Sequence, residues 1–171
     1  MTTIVCACGA VCLEAIDPPM TTLICHCTSC RTAGRALDDR SPVGPIVDAA
    51  GGTSVALWRK DRVRSVRGGE RLMAHRLSSA APSRRMVASC CGTPMFGDFT
   101  RGFWISVYRD RVPDAPSPSM RVMTSDAPAE AMFPDDGVPR FRSRPGKFLF
   151  RLLTTWAAMG FRHPRLVGVP D

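Results

Sequence analysis

No run of about 18 consecutive apolar residues occurs in this 171-residue chain, so a membrane-spanning helix is excluded. Residues 1–11 hold neither a basic n-region nor a long apolar core, so no secretory signal is read there and a reducing, cytoplasmic setting is expected. No internal repeat and no low-complexity tract is present, which argues against a solenoid or a tandem array. Lysine is nearly absent: Lys60 and Lys147 are the only two among 23 basic residues. The densest basic stretch, residues 59–67, has no aromatic interleaved for base stacking. It reads as a solvated strand face, with Arg62 and Arg64 pointing one way and Val63 the other, and no nucleic-acid partner is expected.

What remains is ordinary in bulk. A 44% hydrophobic content over this length can bury a real core, so the chain reads as one domain with an appendage. The net charge of +8 admits nucleic-acid, anionic-membrane or acidic small-molecule partners without choosing among them. The expected division is a β domain over residues 1–112, a Pro/Asp-rich loop or meander over 113–145, and a helix with its tail over 146–171.

The eight cysteines are the distinctive feature. Seven fall into three groups: Cys6 and Cys8; Cys25, Cys27 and Cys30; Cys90 and Cys91. Cys-x-Cys and Cys-x-x-Cys spacings let one turn present two sulfurs to one tetrahedral ion at about 2.3 Å, so zinc is favoured over disulfides in a chain with no export signal. Two half-sites on separate hairpins, Cys6 with Cys8 and Cys90 with Cys91, would close a four-sulfur structural site. The middle group offers three sulfurs and leaves a fourth position for water or substrate, the pattern of a catalytic zinc. Arg31 and Arg35 follow on one helix face, where Arg31 could hold a substrate anion or be merely solvated. His26, between two ligands, is expected to point away from the metal, although it could carry a proton. Cys12 reads as a buried free thiol, and His75 and His163 as structural or surface residues.

Strand-like alternation places the groups. Residues 3–16 read as a strand pair joined at Cys6-Ala7-Cys8-Gly9, where Gly9 can take a positive φ. A second strand over 21–24 leads into the middle group, and Thr28 is the expected N-cap of a short helix over 29–36. Further strands are expected over 53–58, 63–66, 72–77, 85–88 and 103–108, with loops at 38–45 and 110–145. Phe148, Leu149, Leu152, Leu153, Trp156 and Met159 recur near the helical period, predicting a C-terminal amphipathic helix over 147–161 with Gly160 at its end. Its apolar side could pack on the sheet, make a homodimer or meet a membrane surface.

The layout Cys6-Ala7-Cys8-Gly9-Ala10-Val11, then Cys25-His26-Cys27-Thr28-Ser29-Cys30-Arg31 with Gly34, then Cys91-Gly92-Thr93-Pro94 resembles the GFA family, named for glutathione-dependent formaldehyde-activating enzymes. The resemblance covers about residues 3–110. It implies a mainly β, GFA-like zinc fold of several small sheets and hairpins. It also implies one or two zinc ions per chain and carbon–sulfur lyase chemistry on a glutathione-type thiol adduct, with glutathione as co-substrate. One departure stands out. The family's third group is Cys-x-x-Cys-Gly, whereas Ala88 here takes the first cysteine's place and Cys90 adjoins Cys91. A three-sulfur, a distorted or an empty outer site are the alternatives this leaves. The expected function is thus a zinc-dependent carbon–sulfur lyase, with a non-catalytic zinc-stabilised protein-interaction module and a basic zinc-ribbon nucleic-acid binder as rivals.

Overall fold

In the computed structural model, which describes residues 1–39, 41–112 and 114–170, one strand organises the chain. That strand, Thr53–Arg59, is buried on both faces: Ala56 and Trp58 point into one core, Val55 and Leu57 into another. Successive side chains of a strand face opposite ways, so a nearly unbroken apolar run is what a two-sided strand requires.

In chain order the strands are β1 (Thr2–Val5), β2 (Cys12–Ala15), β3 (Thr21–Cys25), β4 (Thr53–Arg59), β5 (Val63–Arg67), β6 (Leu72–His75), β7 (Ser83–Ala88), β8 (Pro94–Phe99), β9 (Trp104–Tyr108) and β10 (Arg121–Val122). The helices are α1 (Thr28–Asp38) and α2 (Gly146–Ala158). Strands β1, β2 and β5 form a small antiparallel sheet, and the other seven run in the order β10-β3-β4-β9-β8-β7-β6. All pairs in the larger sheet are antiparallel except β10 with β3. The first core lies between the sheets, where Ile4, Val11, Leu13 and Ala15 meet Trp58, Met86, Phe96, Ile105 and Val107. The second covers the far face of the larger sheet, where Leu23, Val55, Leu57 and Tyr108 meet Val122 and Phe148.

The mainly β reading with a C-terminal helix is what the chain adopts, and the differences are local. β8 was not expected, because Pro94 and Gly97 break the apolar pattern, yet its pairing with both β7 and β9 holds it in the sheet. Cys27, not Thr28, caps α1: its sulfur accepts from the Cys30 N–H at 3.4 Å. The stretch 110–145 is largely irregular but contains β10, and Arg121 there is buried, paired with Asp136 through two bonds of 2.8 Å. The basic stretch 59–67 is solvated in most places, with Arg59 on Asp61, Arg62 on Asp17 and Arg64 on Glu14. Lys60 is the exception: it is buried, 2.8 Å from Asp98, whose second oxygen takes Arg84 at 2.9 Å.

α2 docks by one side. Phe148 and Leu152 enter the second core, Trp156 stacks on Phe103 at 6.2 Å between ring centres, and Met159 is buried behind it. Gly160, at φ +64°, ends the helix as expected, with its N–H on the Ala157 carbonyl and the Phe161 N–H on Trp156. The chain then returns to the small sheet, where the Ser65 N–H bonds the Val167 carbonyl.

Two expectations follow for stability. Asp98→Ala leaves Lys60 and Arg84 buried without their carboxylate, so chemical denaturation should register a loss of about 3–5 kcal/mol. The Arg121 hydrogen bonds hold the Asp136 carboxyl down at about 2. A depressed carboxyl contributes fully above its unfolded value of about 3.9 and loses that contribution as pH falls toward 2. Thermal melts of Asp136→Asn and of the parent chain should therefore converge on acidification through that window.

Candidate metal centres

Each cysteine group sits where a strand gives way to a turn. Cys6 follows β1, Cys8 lies in the β1–β2 turn, and Cys90 and Cys91 lie in the β7–β8 turn. Gly9 and Gly92, at φ +76° and +75°, let both turns fold back tightly. The turns meet so that Cys6, Cys8, Cys90 and Cys91 place all four sulfurs within 4.8 Å of one another. The separations Cys6–Cys8 3.6 Å, Cys6–Cys90 3.9 Å, Cys8–Cys90 3.4 Å and Cys90–Cys91 3.8 Å bracket the about 3.8 Å edge of a tetrahedron with 2.3 Å metal–sulfur bonds. Despite the displaced cysteine, four sulfurs converge. Adjacent Cys90 and Cys91 both reach the group from one tight turn, in which the Cys91 and Gly92 N–H groups donate to the Ala88 carbonyl at 3.3 and 2.8 Å.

Hydrogen bonds orient this set. The Val11 N–H donates to the Cys6 sulfur at 3.2 Å. Thr93, fully buried, joins the two turns: its hydroxyl accepts from the Ala7 N–H at 3.0 Å and lies 3.0 Å from the Cys91 sulfur. Burial would raise Cys91, but the Thr93 hydroxyl and the N–H groups of Cys8 and Thr93 outweigh it and bring the thiol down to about 6. Cys90 is pushed up to about 12, by desolvation and then by its neighbours Cys8, Cys91 and Cys6.

The middle group is built differently. Cys25 ends β3, Cys27 caps α1 and Cys30 lies in its first turn, and their three sulfurs also lie within 4.8 Å of one another. Hydrogen bonds from Cys25 and Cys30, the Cys30 N–H and the charge of Arg144 bring Cys27 down to about 2, against its burial. The positive end of α1 favours the same thiolate. Cys25 is pushed up to about 11 by its hydrogen bond to Cys27, and Cys30 upward by those to Cys25 and Cys27; burial and the charge of the neighbouring sulfurs add to both. Among the described residues no fourth Cys, His or carboxylate joins this group.

The surroundings come from afar. Asp126 accepts the Thr28 N–H at 3.3 Å, and its carbonyl takes the Arg31 guanidinium, so Arg31 is already engaged by the 121–145 segment. Arg35 is exposed. Behind α1, the buried Arg85 donates to the Ser29 hydroxyl at 2.9 Å and carbonyl at 3.0 Å and to Ser83 at 3.1 Å. His26 points away from both sulfur groups into the protein: it is fully buried, with Nδ1 3.3 Å from the Ala50 carbonyl and its ring edge-on to Phe133 at 5.1 Å. Burial lowers its pKa. Cys12 is buried outside both groups. Sequence reasoning missed Thr93, Asp126 and Arg144. Thr93 stood inside the recognised motif without an assigned role, and the other two lay in a stretch whose polar composition signalled only a loop.

These features define a mainly β protein with two thiol clusters suited to soft metal ions. Residues 1–39 match the family model described as "Glutathione-dependent formaldehyde-activating enzyme", a span that includes Cys6, Cys8 and the whole middle group. No curated protein matches the chain. A crystal structure of a Rhodobacter sphaeroides protein from a structural-genomics programme is 19% identical, covering 81% of this chain and 98% of that one, with a TM-score of 0.44.

Thr93→Val keeps the shape but strands the Ala7 N–H and frees the Cys91 sulfur. Stability should fall by about 1–3 kcal/mol. Metal carried by the outer group should also pass to a chelator faster than from the parent protein, followed with a colorimetric zinc indicator.

Proposed function

We propose that this chain is a zinc-dependent enzyme of carbon–sulfur lyase type acting on a small thiol adduct of the glutathione kind. In this reading Cys6, Cys8, Cys90 and Cys91 hold a structural zinc, and Cys25, Cys27 and Cys30 hold a second, catalytic one. The observation that carries it is the contrast between the groups: four converging sulfurs in one, three half-buried sulfurs in the other. A three-sulfur site leaves a position for substrate. Zinc there, when bound, supplies a Lewis acid that steadies negative charge on sulfur or oxygen.

The chain's own groups would do the rest. In the forward direction the thiol sulfur bonds to the aldehyde carbon and the thiol proton passes to the carbonyl oxygen, giving a hemithioacetal. In reverse that carbon–sulfur bond breaks and the proton returns. Arg144 is exposed and within electrostatic reach of Cys27, which suits it to hold a carboxylate of the thiol substrate. Arg31 keeps guanidinium N–H groups beyond the one spent on Asp126 and could assist. The Cys30 N–H, aimed at the Cys27 sulfur, would hold that ligand in its orientation.

A second reading, a zinc-stabilised interaction module without catalysis, draws on the exposed Leu149, Phe150 and Leu153 of α2. Elemental analysis under reducing conditions should find about two zinc ions per chain. Cys27→Ser separates the readings, because serine retains the helix cap while giving up the soft ligand. It should hold about one zinc, melt near the parent temperature, and lose catalysis of glutathione–formaldehyde exchange measured by NMR. Parent protein with two zinc ions that neither accelerates the exchange nor gains thermal stability from glutathione would favour the interaction module.

A further inference from the structure

Charge and exposed apolar surface concentrate in the same part of the chain. Residues 137–170 contain seven basic side chains and no acidic one, while residues 1–136 carry 16 basic and 14 acidic residues. Most of the net +8 therefore belongs to one short stretch built around α2. The helix is apolar on two sides. Its inner side, through Phe148, Leu152 and Trp156, is occupied by the protein. Its outer side presents Leu149 at 48%, Phe150 at 68% and Leu153 at 53% exposure, with Ala157 a turn further on. At 100° per residue these four fall within an arc of about 100°, and Lys147 and then Arg151 follow on one side of it, beyond Phe150 and Thr154. Neither cation makes an ion pair among the described residues. Phe161, past the helix end, is also exposed at 55%, but it packs edge-on against Trp156 of the inner side.

We infer that the outer face of α2 docks on an anionic phospholipid surface. Exposed leucine and phenylalanine on a helix with cations along one side of the apolar arc can enter the headgroup boundary while the long lysine and arginine side chains reach back to the phosphates. A second copy of the chain fits less well. A two-fold contact through this face would set one cationic stretch against its duplicate, with no acidic residue from 137 to 170 to offset the repulsion. The helix is also much too short and polar-flanked to cross a bilayer, so the chain would lie on the surface.

The test is sedimentation of the full zinc-loaded chain with vesicles of phosphatidylcholine alone or mixed with phosphatidylserine. Binding should require the anionic lipid and weaken as salt rises. Phe150→Asp and Leu153→Ser should each reduce it, and Lys147→Ala with Arg151→Ala should reduce it roughly tenfold or more. All these side chains are solvent-exposed, so the melting temperature and zinc content should stay at parent values. Met73→Asp, on exposed β6, should bind like the parent. No binding to either vesicle, or equal binding to both, overturns the inference. Concentration-dependent dimerisation abolished by Phe150→Asp would assign the face to a second copy. Retention on polyglutamate without vesicle binding would assign it to an acidic protein.

Discussion

Thiolates repel, and this chain gathers seven of its eight cysteines into two groups whose sulfurs lie within 4.8 Å of one another. Two unit charges 4 Å apart repel by about 4 kcal/mol at an effective dielectric of 20, so neither group can ionise fully without positive charge among the sulfurs. The titration pattern divides each group: the hydrogen bonds they accept favour Cys27 and Cys91 as thiolates, while the bond to Cys27 raises Cys25 and desolvation raises Cys90. Much of the local structure serves to place positive poles around sulfur. The N-terminus of α1, the N–H groups of Val11 and Cys30, the Thr93 hydroxyl and the Arg144 charge all do so.

The scaffold makes this affordable by fixing the turns from both sides. β4 divides its side chains between two cores, so the sheet that carries β3 and the hairpin that carries Cys90 and Cys91 belong to one packed body. The outer group ties the small sheet to the large one at the β1–β2 and β7–β8 turns. The middle group sits instead at a strand-to-helix junction, covered from one side by the 121–145 segment. One set of sulfurs joins structural layers; the other lies where a helix end, an arginine and solvent meet.

Much of this could be read from residue order. The cysteine groups, the positive φ at Gly9, the strand alternation and the period of α2 are local signals, and the structure respects them. What could not be read depends on distant partners. β8 exists because β7 and β9 flank it, although Pro94 and Gly97 argue against a strand. Lys60 looked like one more solvated cation until Asp98, almost forty positions away, took it inside. Cysteine is a rare helix cap, so Thr28 was the better guess from propensity, and only the approach of Cys30 N–H to sulfur reversed it. Asp126 and Arg144 reach the middle group through the pairing of β10 with β3, a two-residue contact with no sequence signature.

Cys27 is used twice, and the consequence concerns timing. Its sulfur already holds the first turn of α1 through the Cys30 N–H, and a sulfur with several lone pairs can keep that bond while also binding a cation. The Cys27 sulfur is therefore held by the first turn of the helix itself, without a metal. In small zinc fingers the ion must order the chain, and its withdrawal unfolds it. Here the middle ion would enter and leave a rigid cup, so selection among cations would rest on size and softness, and exchange could proceed without unfolding.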